Sequence, residues 1–147
     1  MLPSSSGQKT WGDGPYGRER QSYGEGNANR NRLSTEGTAR LLQAVMAGAV
    51  VSPPAGRRMQ ALLARSLDAA QRAADPENQV DGFLGGGLPE GARLWSKAGW
   101  MSQARHDAAY VEAEGVAPFL LVAFSEGTRC AADEALLPEI CKRLLGG

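Results

Sequence analysis

Three short runs dominate the second half of the chain: Arg93-Leu94-Trp95-Ser96-Lys97-Ala98-Gly99-Trp100, Ala108-Ala109-Tyr110-Val111 and Phe119-Leu120-Leu121-Val122-Ala123-Phe124. Each is rich in β-branched or aromatic residues and bounded by Gly, Pro or charged turns. Together they predict three consecutive strands of an antiparallel sheet over residues 93–125. The last run is apolar at both alternating sets of positions, so both faces of the sheet are expected to be covered. Helical spacing supplies the covers. Ser34 or Thr35 caps a helix to about Ala47, with Glu36 in its first turn, Leu42, Val45 and Met46 on one face, and Gly48 ending it. Ser52 with Pro53 opens a second helix carrying Met59, Leu62, Leu63 and Leu67. Asp75-Pro76-Glu77-Asn78 reads as a turn, Val80, Phe83 and Leu84 as a short apolar hook, and Gly85-Gly86-Gly87 as a flexible connector. A terminal helix follows over 133–145 through Leu136, Leu137, Ile140, Leu144 and Leu145, and Pro138 sets its start near Leu137 or kinks its first turns.

The first 28 residues break this pattern. They are rich in Gly, Ser, Asn and charge, with only scattered aromatics (Trp11, Tyr16, Tyr23), and bury too little apolar surface to offset their ordering entropy. A flexible polar tail over 1–28 and one folded unit over 29–147 are therefore expected. The fold class is α+β, an antiparallel sheet with helices on both faces.

Composition mostly excludes. The 147 residues carry 16 basic and 16 acidic side chains, which gives no electrostatic reason to expect nucleic acid as a partner. Residues 1–75 hold 10 Lys/Arg against 6 Asp/Glu, and residues 76–147 hold 6 against 10, a pattern that suits two halves packing together. No apolar run approaches the roughly 20 residues that span a bilayer. Met1-Leu2-Pro3-Ser4-Ser5-Ser6-Gly7-Gln8-Lys9 has no basic stretch followed by an apolar one, so no secretory leader is expected there. His106 is the one histidine, and Cys130 and Cys141 lack ligand spacing, so neither a metal nor a cofactor is expected.

Candidate chemistry is sparse. Lys97 places a charge beside backbone that Ala98 and Gly99 leave open to a ligand carboxylate or carbonyl. Ser6-Gly7-Gln8-Lys9 matches Ser-x-x-Lys, but a working nucleophile of that kind starts a buried helix, and these flanks are Gly-rich and polar, so coincidence is the plainer reading. Arg57, Arg58 and Arg65 read as a solvated helix face. The glycine run at 85–87 lacks the strand-before, helix-after setting of a phosphate loop.

The order of parts resembles a known family. Asn31-Arg32-Leu33-Ser34-Thr35, Ala39-Arg40-Leu41-Leu42, Gly48, Leu88-Pro89-Glu90-Gly91, Ser96-Lys97-Ala98-Gly99 and Arg105-His106-Asp107-Ala108-Ala109 are similar to the carboxy-terminal half of class A β-lactamases and penicillin-binding-protein-like serine hydrolases. The wording Trp-Ser-Lys-Ala-Gly-Trp resembles a cyanobacterial-type branch of that bacterial family. The resemblance runs from about Asn29 to Leu145. It implies a partial β-lactamase/transpeptidase-like fold and a β-lactam or peptidoglycan-like small ligand, in a family often periplasmic or secreted. It places the Lys-Thr/Ser-Gly strand motif on Lys97-Ala98-Gly99, with the lysine on the substrate carboxylate and the Trp100 N–H in the oxyanion hole. Arg105 or His106 falls near the assisting basic position. Ala98 departs from the pattern by lacking the hydroxyl that binds substrate. The Ser-x-x-Lys helix and the Ser-Asp-Asn loop belong upstream of residue 29, where nothing matches them. The general-base glutamate is not identifiable, since Glu25 lacks supporting context. The expectation is a chain without the nucleophile half, inactive alone and needing an amino-terminal half, with a non-catalytic binding or interaction module derived from that fold as the alternative.

Overall fold

The computed structural model describes residues 22–25, 28–29 and 32–146. Two units are distinguished, residues 1–33 and residues 34–147, and the described sheet lies in the second. Ser6, Lys9 and most of the expected tail lie outside the described residues.

Helix α1 is Thr35–Met46, and it starts where a cap exists: Ser34 is extended, and its Oγ accepts from the Gly37 N–H at 3.0 Å. An i,i+4 ion pair, Arg40 with Glu36, runs along its exposed side, and Leu42 and Val45 are buried. Helix α2, Pro53–Leu63, is capped by Ser52 and opens on proline. Its apolar residues are not a buried stripe. Leu62 is exposed, Gly56 is the buried residue, and the helix ends before Leu67 because the chain turns into a two-residue strand, β1, Ala64–Arg65. Helix α3, Ala69–Ala74, follows, capped by Asp68, and the turn at 75–78 is present, with Asn78 N–H on the Asp75 carbonyl.

The three expected strands form and run longer than their apolar cores. They are β2, Arg93–Met101, β3, Ala104–Ala113, and β4, Val116–Glu126, and all pair antiparallel in the order β1-β2-β3-β4. Register fixes the faces, because partners across an antiparallel pair point the same way. Ala98 faces Asp107, Ser96 faces Ala109 and Leu94 faces Val111 on one side. Lys97 faces Ala108, Gly99 faces His106 and Trp95 faces Tyr110 on the other.

The first side is the core. Leu94, Ala98, Ala109 and Val111 cluster with Val80, Phe83, Leu84, Leu137 and Cys141. The glycine run belongs to this core and is no loose connector: residues 84–87 form a 3-10 turn against helix α5, Leu136–Leu144. A Cβ on Gly87 would stand 2.2 Å from the Pro138 carbonyl oxygen, so the close approach of turn and helix requires glycine there. Pro138 sits in the first turn of α5, where its missing N–H costs nothing. The expected 133–145 helix is thus shorter and is preceded by a separate short helix α4, Thr128–Ala132. Helix α1 lies against β3 and β4, with Leu42 and Val45 buried outside the core cluster. The fold is α+β, and no helix among the described residues is long and apolar enough to cross a membrane.

Candidate functional site

Strand β2 delivers the Lys97 segment to the surface by simple alternation. Leu94, Ser96 and Ala98 point into the core, while Lys97 points outward and is exposed. Its Nζ curls back onto the Ala98 carbonyl and reaches Oε1 of Gln79 at 3.4 Å. Gly99 has nothing within 4 Å of where a side chain would begin, so the backbone beside Lys97 is open. Trp100 is half exposed, with its ring 5.4 Å from that of Phe83.

The two basic residues of β3 go to opposite faces. His106 lies across from Gly99 on the side of Lys97, packs its ring 4.7 Å from Phe124, and accepts the Ser125 N–H on Nδ1. That bond puts the proton of the neutral ring on Nε2. Arg105 points the other way and is only 6 % exposed. It donates to the carbonyls of Ala131 and Gly82, reaches Glu134, and lies 4.9 Å over the Phe83 ring. With both forks of its guanidinium engaged, Arg105 ties α4 and the 82–84 segment to the sheet. Lys97, Gly99 and His106 are therefore brought together, and Arg105 is not with them.

Three residues with no expected part in the site lie near Lys97. Asp107 is fully buried beside Ala98; one carboxylate oxygen accepts the Leu84 N–H at 3.0 Å and the other has no partner. Burial pushes its carboxyl up from 3.8 to about 6, against the backbone N–H groups of Leu84 and Ala108 and the charges of Arg65 and Lys97, which hold it down. Burial, with the nearby Asp107 charge, also pushes the Cys141 thiol up, which leaves it inert. The second residue is Arg65, expected on a solvated helix face but placed in β1 because the helix ends at Leu63; its Nη2 donates to the Ser96 carbonyl at 3.0 Å and to Gln79 Oε1 at 3.4 Å. Gln79 is the third. Asp107 precedes the expected run at Ala108, so its inward position follows from the β2–β3 register; Arg65 arrives through the β1–β2 pairing and Gln79 through its bonds to Arg65 and Lys97.

Solved structures share this fold. A penicillin-binding protein A mutant, solved as an acyl-enzyme complex with penicillin G, matches with a TM-score of 0.62 at 17% identity over 80% of this chain and 40% of that one. A β-lactamase from Burkholderia vietnamiensis matches with a TM-score of 0.60 at 20% identity, over 82% and 44%. One from Streptosporangium roseum gives 0.60 at 21%, over 87% and 47%. No curated protein sequence matches significantly. The profile of the β-lactamase enzyme family matches residues 16–145. The chain belongs to the β-lactamase enzyme family.

As a member of that family, it spans less than half the length of the solved relatives named above. The matched region contains the whole described sheet and both surface residues that flank Gly99 across the β2–β3 pair, Lys97 and His106. Among the described residues no cluster of His, Cys, Asp or Glu fit to hold a metal ion occurs.

Proposed function

We propose that residues 29–147 are the carboxy-terminal half of a β-lactamase-like serine hydrolase domain, retaining the substrate-binding strand and lacking the nucleophile. In this reading Lys97 takes the carboxylate of a β-lactam or peptidoglycan-like ligand, Gly99 leaves room for it, Trp100 offers its N–H to a carbonyl oxygen, and His106 flanks the site. Arg105 lies on the opposite face and has a supporting part, holding Gly82 and α4 against β3. One observation carries the reading: Lys97 is exposed beside an open Gly99, with His106 across the strand pair.

The sequence supports the proposed loss of the nucleophile. No serine from residue 29 onward is followed three positions later by lysine. Removal of a catalytic serine costs on the order of a millionfold in turnover, so the half domain is inactive alone. The test is mass spectrometry after incubation with benzylpenicillin and with a fluorophosphonate. No adduct is expected. A stoichiometric adduct lost in Ser6→Ala refutes the reading and makes Ser6-x-x-Lys9 the active pair; an adduct that persists refutes it in favour of another nucleophile, with Ser102 in the β2–β3 turn the first to substitute.

A further inference from the structure

Lys97 is not alone at its site. Its Nζ and the Nη2 of Arg65 converge on one acceptor, the amide oxygen of Gln79, each at 3.4 Å. Among the described residues neither cation has a carboxylate within salt-bridge distance. Arg65 is held in place by its bond to the Ser96 carbonyl, and its Nε is buried with no hydrogen-bond partner. Nε–H and Nη2–H lie on the same edge of a guanidinium and are spaced for the two oxygens of a carboxylate. A neutral amide offers one oxygen, so Gln79 serves Nη2 and leaves Nε unserved.

We propose that Arg65 and Lys97 form a two-cation seat for a ligand carboxylate, with Gln79 occupying it when no ligand is bound; this rests on Lys97 being the carboxylate residue of the site. Arg65, Arg72, Asn78 and Gln79 line a polar cleft of about 380 Å³, a volume that takes a small molecule, and Lys97 is not part of its lining but reaches it through Gln79. Asp75 and Glu77 also line it and are exposed, which disfavours a second negative charge on the ligand. The class that fits is a monocarboxylate with a neutral body. On binding, one carboxylate oxygen replaces Gln79 Oε1 between Nη2 and Nζ, and the other takes Nε–H, exchanging two bonds to a neutral acceptor for bonds to an anionic one.

Two measurements on the full chain test this. The first is NMR titration with benzylpenicillin and its methyl ester, in the parent and in Arg65→Gln, Lys97→Ala and Gln79→Ala. Binding of the acid is expected to weaken about tenfold or more in each of the first two variants and to strengthen in the third, with the ester binding poorly throughout. The second needs no ligand: in Gln79→Glu the introduced carboxylate is expected to titrate well below the usual glutamate range and to return to it in the Arg65→Gln background. If Lys97→Ala abolishes binding, Arg65→Gln does not, and the introduced carboxylate titrates normally, the seat is overturned while the role of Lys97 stands. If binding is indifferent to Lys97, that role fails, and the titration of the introduced carboxylate still decides whether the seat exists.

Discussion

Asp107 is the residue at which the fold carries an electrostatic cost. Its carboxyl is fully buried, has one unpartnered oxygen, and sits at about 6 against 3.8 in the unfolded chain. The folded state therefore binds the proton more tightly, and stability falls as pH rises from below 4 through 6. A shift of that size corresponds to about 3 kcal/mol of destabilisation at neutral pH relative to an unshifted group. Urea midpoints measured between pH 4 and 7.5 are expected to decline along this window. In Asp107→Asn the decline is expected to flatten, since the amide keeps an oxygen for the Leu84 N–H and carries no charge. A parent profile that rises with pH across the window would show that Asp107 is not buried as described. The run Ala108–Val111 marked this strand in the sequence, but the inward place of Asp107 was not legible: a charged residue just before an apolar run reads as the end of the strand until the register with β2 is known.

At the scale of elements, the strands and the caps were legible and the packing of the glycine run was not. Ser34, Ser52 and Pro53 mark helix starts through their own chemistry, and β-branched and aromatic runs mark β2, β3 and β4. Strand β1 was hidden because two residues carry no periodicity; it exists through pairing with Trp95 and Leu94. The run at 85–87 looked like a connector because glycine signals freedom in sequence, whereas here it signals contact. Gly87 and Gly99 separate the two meanings. Gly87→Ala puts a methyl into the Pro138 carbonyl and against Cys141, and is expected to cost about 3 kcal/mol or more, or to prevent folding. Gly99→Ala meets nothing within 4 Å and is expected to leave the thermal midpoint unchanged while weakening any ligand that approaches the backbone beside Lys97. Equal losses of stability in the two variants would mean that the 3-10 turn is not seated on α5 as described.

At the scale of the molecule, the described sheet ends in β4. Strand β4 is the outer strand after β3, eleven residues long, and among the described residues no strand pairs with its far edge. From Val116 to Ser125 it carries no charge, and Pro118 near one end is its main protection against edge pairing. Val116 and Phe124 are exposed near its two ends. A sheet with such an edge, in a chain that spans less than half of its solved relatives, suits the proposal that an amino-terminal half completes the domain. Alone, the edge is a template for a second chain. Size-exclusion chromatography with light scattering is expected to show association that grows with concentration, and Val116→Lys with Phe124→Lys is expected to restore the monomer, because a lysine at each end of an exposed strand opposes antiparallel pairing by like-charge repulsion and by the cost of covering it. The double variant changes no core residue, so circular dichroism should match the parent. A parent that stays monomeric at high concentration would show that this edge is already covered, and the need for a separate half domain would fall with it.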